Sequence, residues 1–275
     1  MTAPETGFRP QSASRISPHL GFLRESLRAG RLGLIPYVMA GFPDPAASLE
    51  LGRRFATSGA AALEIGVPFS DPLADGPVIQ AVGQRALEQG MTLEAALEIA
   101  AGVASEGAAP VVLMTYLNPV LAYHPSRFAR DAAAAGVAGV IVPDLPPEEA
   151  NVIAEPLRDA GVAPVFLVAP TSGEERIAAI CEQSAGFVYC VTLTGTTGPR
   201  ESLPPGLRDL LSRVRRHTDL PIAAGFGISR PEHVRELRGH ADVAVVASAL
   251  MAELRAGRDP ESLLSTLLAA CRSEG

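Results

Sequence analysis

The sequence contains no lysine, so all 23 of its basic residues are arginines. This absence excludes a Schiff-base aldolase, a lysine-bound pyridoxal phosphate and a P-loop lysine, because each needs a side-chain amine. Tryptophan is also absent, and the three cysteines show no CxxC spacing and no evident disulfide framework. The five histidines show neither HxH nor HExxH spacing, so we expect no metal site.

Long apolar runs and basic runs are missing as well. No apolar run approaches ~18 residues, and the first residues lack the apolar core of a secretory signal. We therefore expect a cytoplasmic protein with no membrane contact. The net charge is −7 and the pI is about 5.3, which excludes nucleic acid as an expected partner because phosphate binding needs clustered positive charge.

The residues that are present indicate a folded chain with many turns. Of the 275 residues, 47% are hydrophobic, 26 are glycine and 24 are proline. Such a composition supplies a sizeable core and is too apolar for a disordered chain. The length is compatible with two domains of ~150 residues or with one barrel of ~250 residues.

A repeated unit runs along the chain, in which a short apolar run precedes an amphipathic helix and then a glycine. Apolar runs without alternation are typical of strands buried on both faces, as in parallel sheets. The predicted strands are Leu34–Ala40, Ala61–Ile65, Val111–Thr115, Gly139–Val142, Val165–Val168, Phe187–Val191, Pro221–Ala224 and Val243–Ala247. The predicted helices between them are Pro45–Thr57, Leu93–Ser105, Ser126–Ala134, Glu148–Arg158, Glu174–Glu182, Leu207–Arg216 and Pro231–Leu237.

Eight strands alternating with helices predict a single (β/α)8 TIM barrel with an extra N-terminal helix. Residues 17–275 form this domain, and residues 1–16 are expected to be a disordered extension. An open, doubly wound sheet is the alternative, which the missing GxGxxG after the first strand disfavours. On the predicted helix Pro231–Leu237, His233 is expected at the surface.

Two carboxylates lie where a barrel places its active site, at and beyond the end of the second strand. Glu64 interrupts an apolar strand, and burial raises a carboxyl pKa into the range that suits a general acid or base. Its alternative role is a structural ion pair with an arginine. Asp75 follows in a Pro/Asp/Gly-rich loop that could bring both carboxylates to one ligand, although it could equally form a turn or cap a helix.

The last two strands are followed by segments suited to phosphate. Gly225, Phe226 and Gly227 follow the seventh strand, and Ala247 and Ser248 open a helix after the eighth. Backbone N–H groups and a helix N-terminus bind phosphate at these loops in many barrels, although both segments could simply be tight turns. The Gly/Thr-rich loop 192–200 could close over a ligand as a lid.

Five segments of the chain carry a resemblance to one protein family. The most specific is Leu63-Glu-Ile-Gly-Val-Pro-Phe-Ser-Asp-Pro-Leu-Ala-Asp-Gly-Pro77, which resembles the signature of the tryptophan synthase α subunit family. The similarity covers roughly residues 17–272. The other four are Pro36-Tyr-Val-Met-Ala-Gly41, Leu113-Met-Thr-Tyr-Leu-Asn-Pro119, Val140-Ile-Val-Pro-Asp-Leu-Pro-Pro-Glu-Glu149 and Gly225-Phe-Gly-Ile-Ser229.

The resemblance implies a carbon–carbon lyase of L-tryptophan biosynthesis. The family's reaction is the retro-aldol cleavage of indole-3-glycerol phosphate to indole and glyceraldehyde 3-phosphate. It implies no cofactor and no metal in this chain, and a β subunit carrying pyridoxal phosphate as the partner in an αββα heterotetramer. Pro68, Asp71, Pro72 and Asn118 match positions in or near the family's contact with that partner.

The resemblance also assigns roles to individual residues. Glu64 matches the acid/base that protonates indole C3, and Asp75 matches the carboxylate that binds the indole N–H. Asp144 matches an orienting carboxylate that meets the lid, and Thr197 matches the lid threonine that couples closure to Asp75. The implied substrate-binding residues are Tyr37, Tyr189, Thr197, Gly198, Gly225, Phe226, Gly227, Ala247 and Ser248.

Three positions depart from the family's usual pattern. Leu193 and Thr196 replace a common Arg and Val in the lid, and Ala247 replaces the Gly that the family prefers before Ser248. These changes affect lid closure, phosphate affinity and communication with a β subunit. They leave open a stand-alone lyase that releases free indole and, as a further alternative, a non-catalytic activator of a β subunit.

Overall fold

The computed structural model describes Leu23, residues 31–191 and residues 204–272. The expected disordered extension at residues 1–16 lies outside these residues, as does the predicted N-terminal helix except Leu23, which is helical and buried. The predicted lid, residues 192–200, also lies outside the described residues. None of the helices in the described ranges is long and apolar enough to cross a membrane.

Nine parallel strand segments form one sheet in the order β5-β4-β3-β2-β1-β9-β8-β7-β6. The order follows the chain on both sides of the β1–β9 pair, as expected when each strand is laid beside its predecessor. The strands are β1 (Gly33–Met39), β2 (Leu63–Gly66), β3 (Val111–Met114), β4 (Val137–Ile141), β5 (Ala163–Val165), β6 (Leu167–Val168), β7 (Val188–Val191), β8 (Ile222–Gly225) and β9 (Val243–Val246).

The two ends of this sheet meet at Phe166, which closes the barrel. Strand β5 pairs with β4, whereas β6 pairs with β7, and Phe166 is the single residue between them. The Tyr189 N–H donates a hydrogen bond to the Phe166 carbonyl over 3.0 Å. The predicted strand Val165–Val168 is therefore two short segments, and nine segments make the eight positions of the predicted (β/α)8 barrel.

Helices cover the outside of the barrel. The seven predicted helices are present, one of them begins later than predicted, and further helices accompany them. A short helix at Leu117–Tyr123 precedes the predicted helix Ser126–Ala134, and the predicted helix Glu148–Arg158 begins later because Pro146 and Pro147 give a 3-10 turn over Pro147–Glu149. The helices are α1 (Pro45–Thr57), α2 (Pro77–Glu88), α3 (Leu93–Ala104), α4 (Leu117–Tyr123), α5 (Pro125–Ala134), α6 (Asn151–Asp159), α7 (Glu174–Gln183), α8 (Leu207–Arg215), α9 (Pro231–Leu237), α10 (Ser248–Arg255) and α11 (Pro260–Cys271).

Side-chain alternation divides the core into two layers. Ile35, Val112 and Val245 belong to one cluster of buried residues, whereas their chain neighbours Leu34 and Leu113 belong to the other. Because successive side chains in a strand point to opposite faces, the first cluster fills the barrel and the second lies between the barrel and its helices. This parity directs Glu64 to the interior, since it lies two residues after Ala62 of the inner cluster.

Candidate active site

A cavity of about 620 Å³ opens at the carboxyl ends of the strands. This is the end at which barrels of this class carry their active sites. Its lining includes nine of the predicted site residues: Tyr37, Glu64, Asp75, Asp144, Tyr189, Gly225, Gly227, Ala247 and Ser248. The sequence prediction therefore converges on a single place in the fold.

Glu64 is the buried carboxyl group of the cavity. It lies in β2 with only 2% of its surface exposed, and its neighbours Leu63 and Ile65 are wholly buried. Burial, together with the smaller effect of the negative charge of Asp75, raises the Glu64 pKa to about 8. At neutral pH this carboxyl group therefore holds its proton.

Asp75 is the second carboxyl group, and it lies in the loop 67–76 between β2 and α2. Its own N–H donates to the Pro72 carbonyl over 3.0 Å, and the Gln80 side chain donates to the Asp75 carbonyl over 2.9 Å. Partial burial raises the Asp75 pKa to about 6, so its carboxylate is mostly ionised at neutral pH. Two neighbouring carboxyl groups thus have different protonation states, which is the arrangement that separates an acid from an anion.

Tyr37 and Tyr189 flank Glu64, and each lies over a glycine of the next strand. Tyr37 is the registered partner of Glu64 across β1 and β2, and a Cβ on Gly66 would overlap its ring and hydroxyl. A Cβ on Gly225 would come within 2.6 Å of the Tyr189 ring. The two glycines therefore make the space in which the two rings lie. Burial, together with the charges of Glu64 and Asp75, raises both tyrosine pKa values well above their usual range.

Backbone groups dominate the opposite side of the cavity. Gly227 has a φ of +70°, a conformation that side chains rarely adopt, and α10 begins at Ser248 directly on the cavity lining. Free N–H groups at such a turn and at a helix N-terminus suit an anion. Phe226 belongs to this segment, but its side chain is buried in the outer core, so only its backbone is placed to contribute.

Asp144 contacts the backbone of a neighbouring loop. Its Oδ1 accepts a hydrogen bond from the Leu117 N–H at the start of α4, over 2.9 Å. Its predicted contact with the lid falls on residues that the structure does not describe, as do the predicted site residues Thr197 and Gly198 and the departures Leu193 and Thr196. Within residues 31–191 and 204–272, and counting Leu23, no three metal-ligating side chains are grouped to hold an ion.

Tyr116 is a residue of this region that the sequence prediction missed. Its hydroxyl accepts a hydrogen bond from the Ala74 N–H over 3.2 Å, and its ring stacks on Phe69 with 5.2 Å between centroids. The available signal was its position two residues beyond β3, inside a segment that resembles the family but for which no role was assigned.

The expected surface position of His233 is wrong. The side chain is 1% exposed, because α9 packs its face against the barrel. Its Nδ1 accepts the Ser229 N–H over 3.3 Å, next to the turn at Gly227. A lone histidine between Glu232 and Val234 gives no hint of this contact, which depends on how α9 docks.

Comparisons with known proteins agree on one family. A sequence model of the family described as "Tryptophan synthase alpha chain" matches residues 23–274. A curated tryptophan synthase alpha chain of Roseiflexus castenholzii is 50% identical over 239 residues, or 86% of this chain and 90% of the relative. One of Rippkaea orientalis is 45% identical over 250 residues, covering 90% of this chain and 93% of the relative.

Solved structures give the same result at lower identity. A chain of Mycobacterium tuberculosis tryptophan synthase is 35% identical, with a TM-score of 0.88 over 94% of this chain and 99% of that chain. Tryptophan synthase subunit alpha of Legionella pneumophila is 33% identical, with a TM-score of 0.83 over 94% of this chain and 99% of that chain. The similarity in sequence and in fold extends over nearly the whole length of these proteins.

Proposed function

The chain belongs to the tryptophan synthase alpha chain family, and on that premise we propose that Glu64 and Asp75 carry its reaction. The reaction of the family is the cleavage of indole-3-glycerol phosphate to indole and glyceraldehyde 3-phosphate, a carbon–carbon lyase step of tryptophan biosynthesis. The alpha chain carries no cofactor of its own, and pyridoxal phosphate belongs to the β subunit. The observation that supports the assignment most is the pair of carboxyl groups whose pKa values lie on opposite sides of neutrality.

Glu64 supplies the proton that makes indole a leaving group. Its protonated carboxyl group donates to indole C3, which leaves a positive charge on the ring. The resulting carboxylate then takes the proton of the glycerol hydroxyl next to the ring, the C3–carbon bond breaks, and its electron pair returns to the ring. The products are indole and an aldehyde, and Glu64 ends protonated, as it began.

Asp75 stabilises the charged ring. Its carboxylate accepts a hydrogen bond from the indole N–H, on which positive charge builds after C3 is protonated. An anion fixed in a partly buried site stabilises such a charge more than water does. The phosphate of the substrate would bind at the opposite side of the cavity, at the backbone of Gly225–Gly227 and at the start of α10, with Thr197 and Gly198 as proposed contacts from the lid.

The surface beside the cavity supports a protein partner. Leu73, Leu121 and Val152 are the large apolar side chains that stand exposed among residues 31–191 and 204–272, and Leu73 is 90% exposed. They lie in the segments after β2, β3 and β4, which are neighbours in the sheet. A group of exposed apolar side chains marks an interaction surface. We propose that a β subunit binds here, in an αββα heterotetramer in the cytoplasm.

The test is cleavage of indole-3-glycerol phosphate by the purified chain, alone and with a β subunit and serine. We expect weak activity alone, a strong increase with the β subunit, and a loss of at least ~100-fold in the Glu64→Gln variant. Glu98→Gln, on the exposed side of α3, is the matched control and should behave as wild type.

Two results would decide against this proposal. High activity without any partner would favour the stand-alone lyase that releases free indole. No cleavage in either condition, with the β subunit still stimulated, would favour the non-catalytic activator and contradict the roles of Glu64 and Asp75.

A further inference from the structure

The loop that carries Asp75 has little internal structure to hold the carboxylate in place. Residues 67–76 contain no helix or strand, and the hydrogen bonds made by the Asp75 backbone join it to Pro72 and Gln80. Neither of these bonds constrains the side chain. An irregular loop needs an external contact if its carboxylate is to be held to the tolerance of a catalytic group.

Tyr116 supplies such a contact from the segment that follows the neighbouring strand β3. Its hydroxyl accepts the N–H of Ala74, the residue directly before Asp75, over 3.2 Å. Its ring stacks on Phe69 near the start of the same loop, at 28° between the ring planes. One side chain therefore contacts the loop at two points that are five residues apart.

The O–H of Tyr116 is available to donate a hydrogen bond to the Asp75 carboxylate. A phenol has one O–H donor and oxygen lone pairs that accept, and the Ala74 N–H uses a lone pair. The Tyr116 hydroxyl lowers the pKa of Asp75 and so opposes the effect of burial, as a donor to the ionised carboxylate does. Burial and, after it, the charge of Asp75 raise the Tyr116 pKa, so the phenol keeps its proton at neutral pH.

Asp144 fixes the backbone on which Tyr116 is carried. Tyr116 lies directly before α4 in an extended conformation, with φ −102° and ψ 162°. The next N–H, of Leu117, is bound by Asp144 Oδ1 over 2.9 Å. Since an N–H in the first turn of a helix has no partner within the helix, this carboxylate acts as its cap. The loop after β4 thereby sets the direction of the Tyr116 side chain.

We propose that Tyr116 is a positioning residue for Asp75, and that Asp144 contributes to catalysis through the backbone of Leu117 and the side chain of Tyr116. The contacts run from Asp144 in the loop after β4 to Leu117 at the start of α4, and from Tyr116 next to it to the loop 67–76. The proposal rests on the function proposed above, in which the ionised Asp75 stabilises the indole ring. Tyr116 does not itself take part in proton transfer to the substrate.

The first test is Tyr116→Phe, which removes the hydroxyl and keeps the ring on Phe69. We expect kcat/KM for indole-3-glycerol phosphate to fall about 10- to 100-fold, mostly in kcat. The acidic limb of the pH profile should move to higher pH, because Asp75 loses the donor that favours its ionised form. Tyr123→Phe is the matched control: Tyr123 is the last residue of α4, the helix that follows Tyr116, and its hydroxyl donates to the carboxylate of Asp131 over 2.7 Å. Its kinetics should match those of wild type.

The second test compares Asp144→Asn with Asp144→Ala. Asparagine keeps an oxygen that can accept the Leu117 N–H, whereas alanine does not. If Asp144 acts through that hydrogen bond, kcat/KM of Asp144→Asn should be at least several-fold higher than kcat/KM of Asp144→Ala. Equal losses in the two variants would show that the charge matters instead, and would overturn the part of the proposal that concerns Asp144.

A third comparison separates this proposal from the proposed function. Wild type, Glu64→Gln and Asp75→Asn are measured in the same assay, and thermal melting confirms that each variant folds. Inactive wild type would contradict the proposed function itself. Active wild type with an impaired Asp75→Asn, but with Tyr116→Phe unchanged in rate and pH profile, would overturn only the positioning role. In the Asp75→Asn background, adding Tyr116→Phe should leave the pH profile of kcat/KM unchanged, because the carboxylate on which the hydroxyl acts is absent.

Discussion

The two sides of the cavity are built from different chemical groups. On the side of β1 to β3, the proposed functional groups are side chains, namely the carboxyl groups of Glu64 and Asp75, with Tyr116 as a contact of the Asp75 loop. On the side of β8 and β9, they are backbone groups at Gly227 and at the start of α10. The first side offers groups that gain and lose protons, whereas the second offers N–H groups that do not titrate.

This difference determines how each side responds to change. Glu64 and Asp75 depend on side-chain identity and on a pKa that burial sets, so small chemical changes remove their function without changing the fold. The phosphate side depends on backbone conformation and on space near the chain, so added carbon atoms are the sensitive changes there. We therefore expect pH and kcat to report on the first side, and KM to report on the second.

The largest expected effect is the pH dependence of kcat/KM in the wild-type chain. Activity needs Asp75 ionised and Glu64 protonated, so it should fall about tenfold per pH unit below about 6 and above about 8. In Asp75→Asn, the residual activity should lack the acidic limb. Its basic limb should lie at lower pH, because the charge that raises the Glu64 pKa is gone. If kcat/KM stayed constant between about pH 5 and about pH 9, that result would contradict the proposal that Glu64 is protonated while Asp75 is ionised.

The next largest effect concerns the backbone side. Gly227→Ala forces a φ of +70° on a residue with a Cβ, so the turn must shift, and we expect KM to rise about tenfold with kcat little changed. Inhibition by inorganic phosphate should weaken in parallel. Gly257→Ala is the matched control, since its φ is +71° and nothing lies within 4 Å of the added carbon. An equal KM change in both variants would mean that general strain, and not phosphate contact, is measured.

The smallest expected effect is a decrease in KM on removal of the Ala247 side chain. Ala247 has a Cβ where the family prefers glycine, and its removal lets a phosphate approach the backbone more closely. We expect Ala247→Gly to lower KM about two- to fivefold with an unchanged pH profile. A steady-state titration of substrate checks the change in KM. A shift in either pH limb would show that the two sides of the cavity are not independent.

Sequence patterns were sufficient for the parts of the fold that repeat. The eight apolar runs correspond to the eight positions of the barrel, because a strand buried on both faces must be apolar throughout. Among the glycines that follow helices in the repeated unit, Gly59, Gly136 and Gly161 have φ values of +90°, +73° and +79°, as a left-handed helix end requires. Glu64 was visible for the opposite reason, as the charged residue that such a strand would otherwise exclude.

The features that were missed depend on contacts between distant segments. Tyr116 gains its importance from Ala74, which lies 42 residues earlier. The predicted strand Val165–Val168 is interrupted at Phe166, where β5 pairs with β4 and β6 pairs with β7. β-strand propensity does not encode which strand is the partner. His233 is a polar residue that a short helix could equally expose, and the docking of α9 buries it.

The buried Glu64 couples folding to proton uptake. An unfolded glutamate has a pKa near 4.5, whereas in the folded chain the pKa is about 8, so at neutral pH the chain binds a proton at this position as it folds. Because the folded pKa is raised, the contribution of Glu64 is most favourable to the folded state below about pH 4.5 and is lost progressively as the pH rises to about 8. The group that we propose as the proton donor to the substrate therefore makes the native state itself less stable in alkaline solution.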